Sequence, residues 1–375
     1  MGQKIPINIP FIYFFYKYLL LEPRIFICHR KPDPLDMMSS LQKPFSKLLQ
    51  VLFFLLLMCI PSFFAFPSNS SATSFGAAKY EAAEGNEEAE ALLKWRASLD
   101  DNHSQSVLSS WVGSSPCKWL GITCDNSGSV ANFSLPHFGL RGTLHSFNFS
   151  SFPNLLTLNL RNNSLYGTIP SHISNLIKIT NLNLCHNHFN GSLPPEMNNL
   201  THLMVLHLFS NNFTGHLPRD LCLGGLLVNF TASYNHFSGP VPKSLRNCTS
   251  LFRVRLDWNQ LTGNISEDFG LYPNLNYVDL SHNNLYGELT WKWGGFNNLT
   301  SLKLSNNNIT GEIPSEIGKA TGLQMIDLSS NLLKGTIPKE LGKLKALYNL
   351  TLHNNHLSVS FPLKSKCYLN FVPLI

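Results

Sequence analysis

The sequence predicts an α/β repeat solenoid with a parallel sheet on its concave face, closed at its N-terminal end by a helical, disulfide-bonded cap. Three observations predict it. Asn recurs at a constant step of 24 residues, at Asn163, Asn187, Asn211, Asn235, Asn259, Asn283, Asn307, Asn331 and Asn355. Each is preceded by the pattern L-x-x-L-x-L-x-x and usually followed by x-L-x-G-x-I-P, shown whole in Leu323–Pro338 (LQMIDLSSNLLKGTIP). Charged residues make up only 13% of the chain, against about a quarter in ordinary soluble domains. A neutral polar surface over a leucine core therefore reads as one array rather than two or three compact domains.

Before the array lies a secretory leader. From Met37 or Met38 a basic stretch with Lys43 and Lys47 leads into the apolar run Leu48–Ile60, then Pro61 and the small-residue region Phe66–Ala72. Residues 37–71 read as a signal peptide, because an apolar run of this length falls short of the ~20 residues a spanning helix needs. Residues 1–36 read as a dubious upstream extension whose own apolar stretch, Ile5–Leu21, is interrupted by Lys17. The rival reading is a tandem or uncleaved anchor. Residues 72–86 are a linker. These features place the chain outside the cell, secreted or held at the plasma-membrane exterior if the leader is uncleaved or the gene continues.

Residues 87–129 form the cap. Glu87–Leu99 (EEAEALLKWRASL) has the spacing of an amphipathic helix, with Leu92, Leu93, Trp95 and Leu99 apolar. Trp111 and the segment Cys117-Lys-Trp119-Leu-Gly121-Ile-Thr-Cys124 follow. Closing that ring between Cys117 and Cys124 contributes about 2–3 kcal/mol by loop entropy.

Ten repeats then occupy residues 130–362, the first a looser copy, Val130–Leu144, with Phe138 at the Asn position. Each supplies a short strand whose alternate Leu residues point inward. A parallel sheet needs a crossover to return the chain. The Asn side chain can satisfy backbone at the bend, so successive Asn residues form a ladder. Gly at 167, 191, 215, 239, 263, 287, 311 and 335 relaxes the turn, and Pro in the I-P step discourages a helix there. Cys222 and Cys248 lie on adjacent repeats, little more than one period apart, and should form a second bridge; Cys185 and Cys367 look unpaired. In the last repeat Val359 stands where Gly belongs. Residues 363–375 (LKSKCYLNFVPLI) lose the pattern, and no C-terminal cap is legible there.

Secretion agrees with 14 N-glycosylation sequons, at Asn69, Asn102, Asn132, Asn148, Asn162, Asn190, Asn199, Asn212, Asn229, Asn247, Asn264, Asn298, Asn308 and Asn349. The eight cysteines form no C-x-x-C pair or zinc pattern. The net charge of +6 is scattered, without a basic run to grip phosphates, so nucleic acid is not the expected partner. No nucleophile–base set points to catalysis. Asp268-Phe269-Gly270 spells a kinase motif without its companions. Gly318-Lys319 lacks phosphate-loop spacing. His186/His188 and His353/His356 lack nearby carboxylates for a metal. No metal, cofactor or small-molecule partner is expected.

The cap EALLKWRASL…SPCKWLGITC followed by LxxLxLxxNxLxGxIP units resembles the ectodomain of plant leucine-rich-repeat receptor-like kinases over about residues 87–362. The stretches FPNLLTLNLRNNSLYGTIP and SLFRVRLDWNQLTGNISEDFGLYPNLNYVDLSHNNLYGEL look closest to the MIK group, which senses secreted peptides. The resemblance implies plant-specific leucine-rich repeats wound into a right-handed superhelix. It also implies a secreted peptide or a co-receptor leucine-rich-repeat protein as partner. Family members continue through more repeats, a membrane helix and a kinase, and this chain reads as truncated before them.

Residues at −6, −4 and −2 from each repeat Asn should face the concave surface. Across four middle repeats these columns, with their −1 neighbours, hold His207, Phe209, Tyr234 (−1), Arg253, Arg255, Asp257, Trp258 (−1), Tyr277 and Asp279, and elsewhere mostly Asn, Ser and Thr. Aromatics and Arg dominate binding hot spots. Alternation puts both guanidinium groups of Arg253-Val254-Arg255 outward, where they could clamp a carboxylate. Several receptor relatives resemble this, using an Arg-x-Arg strand for a peptide's C-terminal carboxylate. The competing reading is an internal network in which Arg255 pairs with Asp257 or Asp279. The leading function is thus a receptor-type ectodomain. The alternatives are a secreted inhibitor of cell-wall-degrading enzymes, since polygalacturonase-inhibiting proteins have ten similar repeats but end in a cysteine cap, or a truncated copy without function.

Overall fold

The structure is a computed structural model and describes residues 84–100 and 102–358. Residues 1–83, with the expected extension, signal peptide, Asn69 and most of the linker, lie outside the described residues. So do the tail from 359 and Cys367. Among the described residues no helix is long and apolar enough to cross a membrane.

A sheet of eleven strands frames the molecule. Ile122–Cys124 pairs antiparallel with Val130–Ser134, and every later strand joins parallel. These are Thr157–Asn159, Asn181–Asn183, Val205–His207, Asn229–Thr231, Arg253–Arg255, Tyr277–Asp279, Ser301–Lys303, Met325–Asp327 and Asn349–Thr351. Partners lie one sequence period apart: Arg253 faces Tyr277, and Tyr277 faces Ser301. The first step is one residue longer, with Asn132 opposite Thr157. From Thr157–Asn159 to Met325–Asp327 the central residue of each strand, such as Leu206, Phe230 or Val254, is buried, and its neighbours face the other way. A period of two within the strand and a period of 24 between strands thus build one continuous leucine core.

The Asn ladder forms as the spacing predicts. In Asn235 the side-chain Nδ2 donates to the carbonyls of Leu208 (3.0 Å) and Ala232 (3.2 Å), and Oδ1 accepts from the Phe213 amide (3.0 Å). Each Asn therefore ties its own turn to the repeat before it, which satisfies buried backbone that no strand partner can reach. Asn163 does the same for the first repeat, accepting from the amides of Phe138 and Leu140. The ladder thus begins without an Asn at position 138.

Two features go beyond the sequence reading. The segments after the Asn turns form a second parallel sheet of eight strands, from Arg141–Gly142 to Asn308–Thr310, followed by the separate pair Lys334–Thr336 and His356–Ser358. Identical spacing brings these polar pieces into register as surely as it does the leucines. Gly287 shows why glycine is needed there: its φ is +95°, and a Cβ would collide with the Asn264 side chain. Secondly, Pro170, Pro194, Pro242, Pro314 and Pro338 do not exclude helix; each directly precedes a five-residue 3-10 turn. Proline's fixed φ suits the start of such a turn, where its missing N–H costs nothing.

The cap helix spans Glu84–Ala97, beginning three residues earlier than expected, and a second short helix, Asn102–Val107, follows. Glu88 is buried and caps the long sheet: its carboxylate accepts from the Val130 amide at 3.0 Å and from the Ser129 hydroxyl at 3.2 Å. Both expected disulfides are present, Cys117–Cys124 and Cys222–Cys248. Cys185 is a buried free thiol whose pKa burial pushes up to about 11, so it is inert at neutral pH.

Candidate functional site

Strand alternation delivers the outward residues of the middle repeats to one face of the long sheet. Arg253 and Arg255 flank buried Val254, and Tyr277 and Asp279 stand opposite them on the next strand. The Arg253 guanidinium lies over the Tyr277 ring at 4.4 Å, a cation–π contact that leaves its hydrogen-bond donors uncommitted to any acid. Arg255 is differently placed. Its Nε and Nη2 donate to both oxygens of Asp257, at 3.2 and 3.0 Å. The competing internal pair is therefore realised at Arg255, and a carboxylate clamp would have only Arg253 in hand.

The acids are not surface groups. Asp257 is 3% exposed and Asp279 5%, so both are buried although they stand in the outward columns. Arg255, two residues earlier on the same chain, lies against Asp257, while Lys303 and Tyr277 lie against Asp279. Asp257 also accepts from the Ser233 hydroxyl, and Asp279 from the Tyr277 hydroxyl at 3.3 Å. Burial and the nearby charge of Asp257 raise the Asp279 pKa above the usual carboxylate value, and Lys303, at 3.7 Å, offsets this only in part. The long contact and the desolvation make that ion pair a poor one.

His207 and Phe209 sit two repeats before the arginines, with ring centroids 6.4 Å apart. Burial lowers the His207 pKa, with Arg161 and Arg253 adding to the effect, so the ring is neutral at pH 7.

At the edge of this face runs the −1 column, which the sequence reading touched only at Tyr234 and Trp258. Its backbone is left-handed throughout, with φ between 53° and 57° from Asn162 to Asn354. Asn and Ser, which tolerate that conformation, occupy most positions. Tyr234 and Trp258 do not belong there on backbone grounds, since a bulky residue at positive φ costs about 1 kcal/mol or more. Their rings stack at 5.8 Å, and Trp258 stacks in turn on His282 at 3.8 Å. Tyr234 and Trp258 remain about half exposed, at 52% and 48%. His282 is the residue that sequence reasoning missed; a −1 alignment column alone would have found it.

Nine of the sequon asparagines are exposed: Asn102, Asn148, Asn162, Asn190, Asn199, Asn212, Asn247, Asn298 and Asn308. Asn132, Asn229, Asn264 and Asn349 are half-buried. Asn229 pairs in register with Arg253, so a glycan there would stand beside the cluster. Among the described residues no group of His, Cys, Asp and Glu could hold a metal ion.

Comparison with known proteins agrees with the repeat fold. A leucine-rich-repeat N-terminal domain model matches residues 85–125, and leucine-rich-repeat models match 154–176, 178–200 and 297–357. MDIS1-interacting receptor like kinase 2 of Arabidopsis thaliana is 45% identical over 87 residues, 22% of this chain. That match spans only 8% of the relative's own length. Among solved structures, the Arabidopsis receptor kinase HAESA, in complex with the peptide hormone IDA and the co-receptor SERK1, has a TM-score of 0.58 at 28% identity, covering 72% of this chain and 50% of that one. A TDR receptor has 0.51 at 35% identity, over 60% of this chain and 43% of that one. A plant ice-binding protein reaches 0.61 at 25% identity, over 74% of this chain and 89% of that one. The last likeness shows that the solenoid itself does not choose the ligand; the side chains on its faces must.

Proposed function

We propose that this chain, a leucine-rich-repeat protein with the N-terminal domain and repeats of plant receptor ectodomains, binds a secreted peptide or a partner repeat protein across the open face of its long sheet. One observation carries the reading. Arg253 and Tyr277 on adjacent strands, with Tyr234 and Trp258 in the bends at their edge, mark a face otherwise lined mostly by Asn, Ser and Thr. Aromatics and Arg supply large contact area at low ordering cost, which is how a few residues come to dominate an interface. Arg253 is the cation available to a ligand carboxylate, and buried Asp257 holds Arg255 in place. The chain is read as a binder on the extracellular side and not as an enzyme.

The test is binding of synthetic peptides, with free or amidated C-termini, to the purified glycosylated chain and to Arg253→Gln. A free-carboxylate preference that disappears in R253Q supports the clamp. Equal affinity of both proteins for every peptide removes it. Reduced turnover of a polygalacturonase on adding the chain would favour the inhibitor reading instead.

A further inference from the structure

We propose that the ring stack on the −1 column is interrupted at Ser210, and that the gap is a socket for one aromatic side chain of the bound peptide. The inference deepens the peptide-binding reading and rests on it.

The left-handed backbone repeats at every turn, so side chains of this column leave the chain in parallel, one strand spacing apart. Rings at 234, 258 and 282 fill consecutive places and stack with interplanar angles of 14° and 15°. At the next place the side chain is Ser210, with φ 57° and no ring. Beyond it stands His186, braced edge-on by Phe209 at 4.7 Å. His186 and Tyr234 are two strand spacings apart, about 10 Å. Two ring–ring contacts in series span about 9–14 Å. One planar ring therefore fits between Tyr234 and His186, above a floor too small to fill the space itself.

Two further observations favour a peptide ring over another flat group. The socket opens onto the face that carries Arg253, so a chain seated there continues into the cationic cluster. His186 has its pKa lowered, first by burial and then by Arg161 and His137, so the far wall is a neutral ring at pH 7 rather than a cation.

Ser210→Trp tests the socket. Trp258 already occupies the same backbone conformation, at φ 55° against 57°, so the strain of a bulky residue there is one the fold bears elsewhere, and stacking in the gap should offset it. A random linear peptide library displayed on phage is selected on the glycosylated wild-type chain. Peptides sharing one aromatic position are expected, and changing that residue to Ala should weaken binding about tenfold. The same peptides should lose about tenfold on S210W and keep their affinity for Ser210→Ala, with the thermal unfolding of all three proteins alike. Selected peptides without an aromatic position overturn the socket while leaving peptide binding standing, as does undiminished binding to S210W. If no peptide is selected, both readings fall. If a plant-glycan array binds wild type and not S210W, the socket belongs to a sugar ring and this proposal is wrong.

Discussion

Where the N-terminal cap meets the first repeat, Trp95, Trp111 and Phe133 pack with centroids 5.6–6.3 Å apart, all fully buried. The ring N–H groups of Trp95 and Trp111 donate to the carbonyls of Thr143 and Leu120. In the middle repeats Tyr234, Trp258 and His282 also form a cluster, but on the surface and on left-handed backbone. The first group satisfies every expectation for a core: it removes apolar area from water and leaves no polar atom unpaired. The second violates local backbone preference and gains little burial in return. Residues that break a local rule without a structural gain are where function is to be sought.

This contrast can be broken by mutation. The largest effect should come from Trp95→Ala, which empties the centre of the cap and should cost about 3–5 kcal/mol, read as a lower denaturation midpoint. An equally stable W95A protein would mean that the cap does not hold the array. Opening the cap ring with Cys117→Ala and Cys124→Ala should cost about 2–3 kcal/mol, measured the same way.

A smaller, pH-dependent effect is expected beneath the site. The folded-state pKa of Asp279 lies above its unfolded value of 3.8, so the folded protein holds the proton more tightly. Its ionisation then lowers stability as pH rises from the unfolded pKa through the folded one, and the loss is complete above both. Asp279→Asn should therefore be more stable than wild type at pH 7, with the advantage vanishing below the usual carboxylate range. A constant difference at all pH values would show that packing, not charge, sets the effect.

The smallest change in stability should come from Trp258→Asn. Strain relieved at positive φ and stacking lost are each about 1 kcal/mol and oppose one another. Stability should stay within about 1 kcal/mol of wild type while affinity for selected peptides falls. Loss of stability on the scale of W95A would place Trp258 with the core and end its assignment to the site.

Much of the fold was legible because a fixed period is a global constraint written locally. Once Asn235 and Asn259 are aligned, the strands, the ladder and the Cys222–Cys248 contact follow from register alone. The second sheet was not legible, since its segments carry glycine and polar residues that read as turns; neighbours at equal spacing supply the hydrogen bonds. Candidate site residues were proposed by column, and Arg253 and Tyr277 do stand opposite one another on adjacent strands, on the side away from buried Val254. For Asp257 and Asp279 the columns say nothing of depth, because an outward position on a strand does not prevent burial.

The sequence by itself determined the repeat length, the inward leucines, the Asn ladder and the partner of each bridging cysteine, all of which depend on spacing. Tertiary structure alone decided that Arg255 is engaged by Asp257, that Arg253 rests on Tyr277, and that the rings of Tyr234, Trp258 and His282 stack. The physical reason is that these depend on contacts between side chains a whole period apart, whose reach and backbone angle no single repeat specifies.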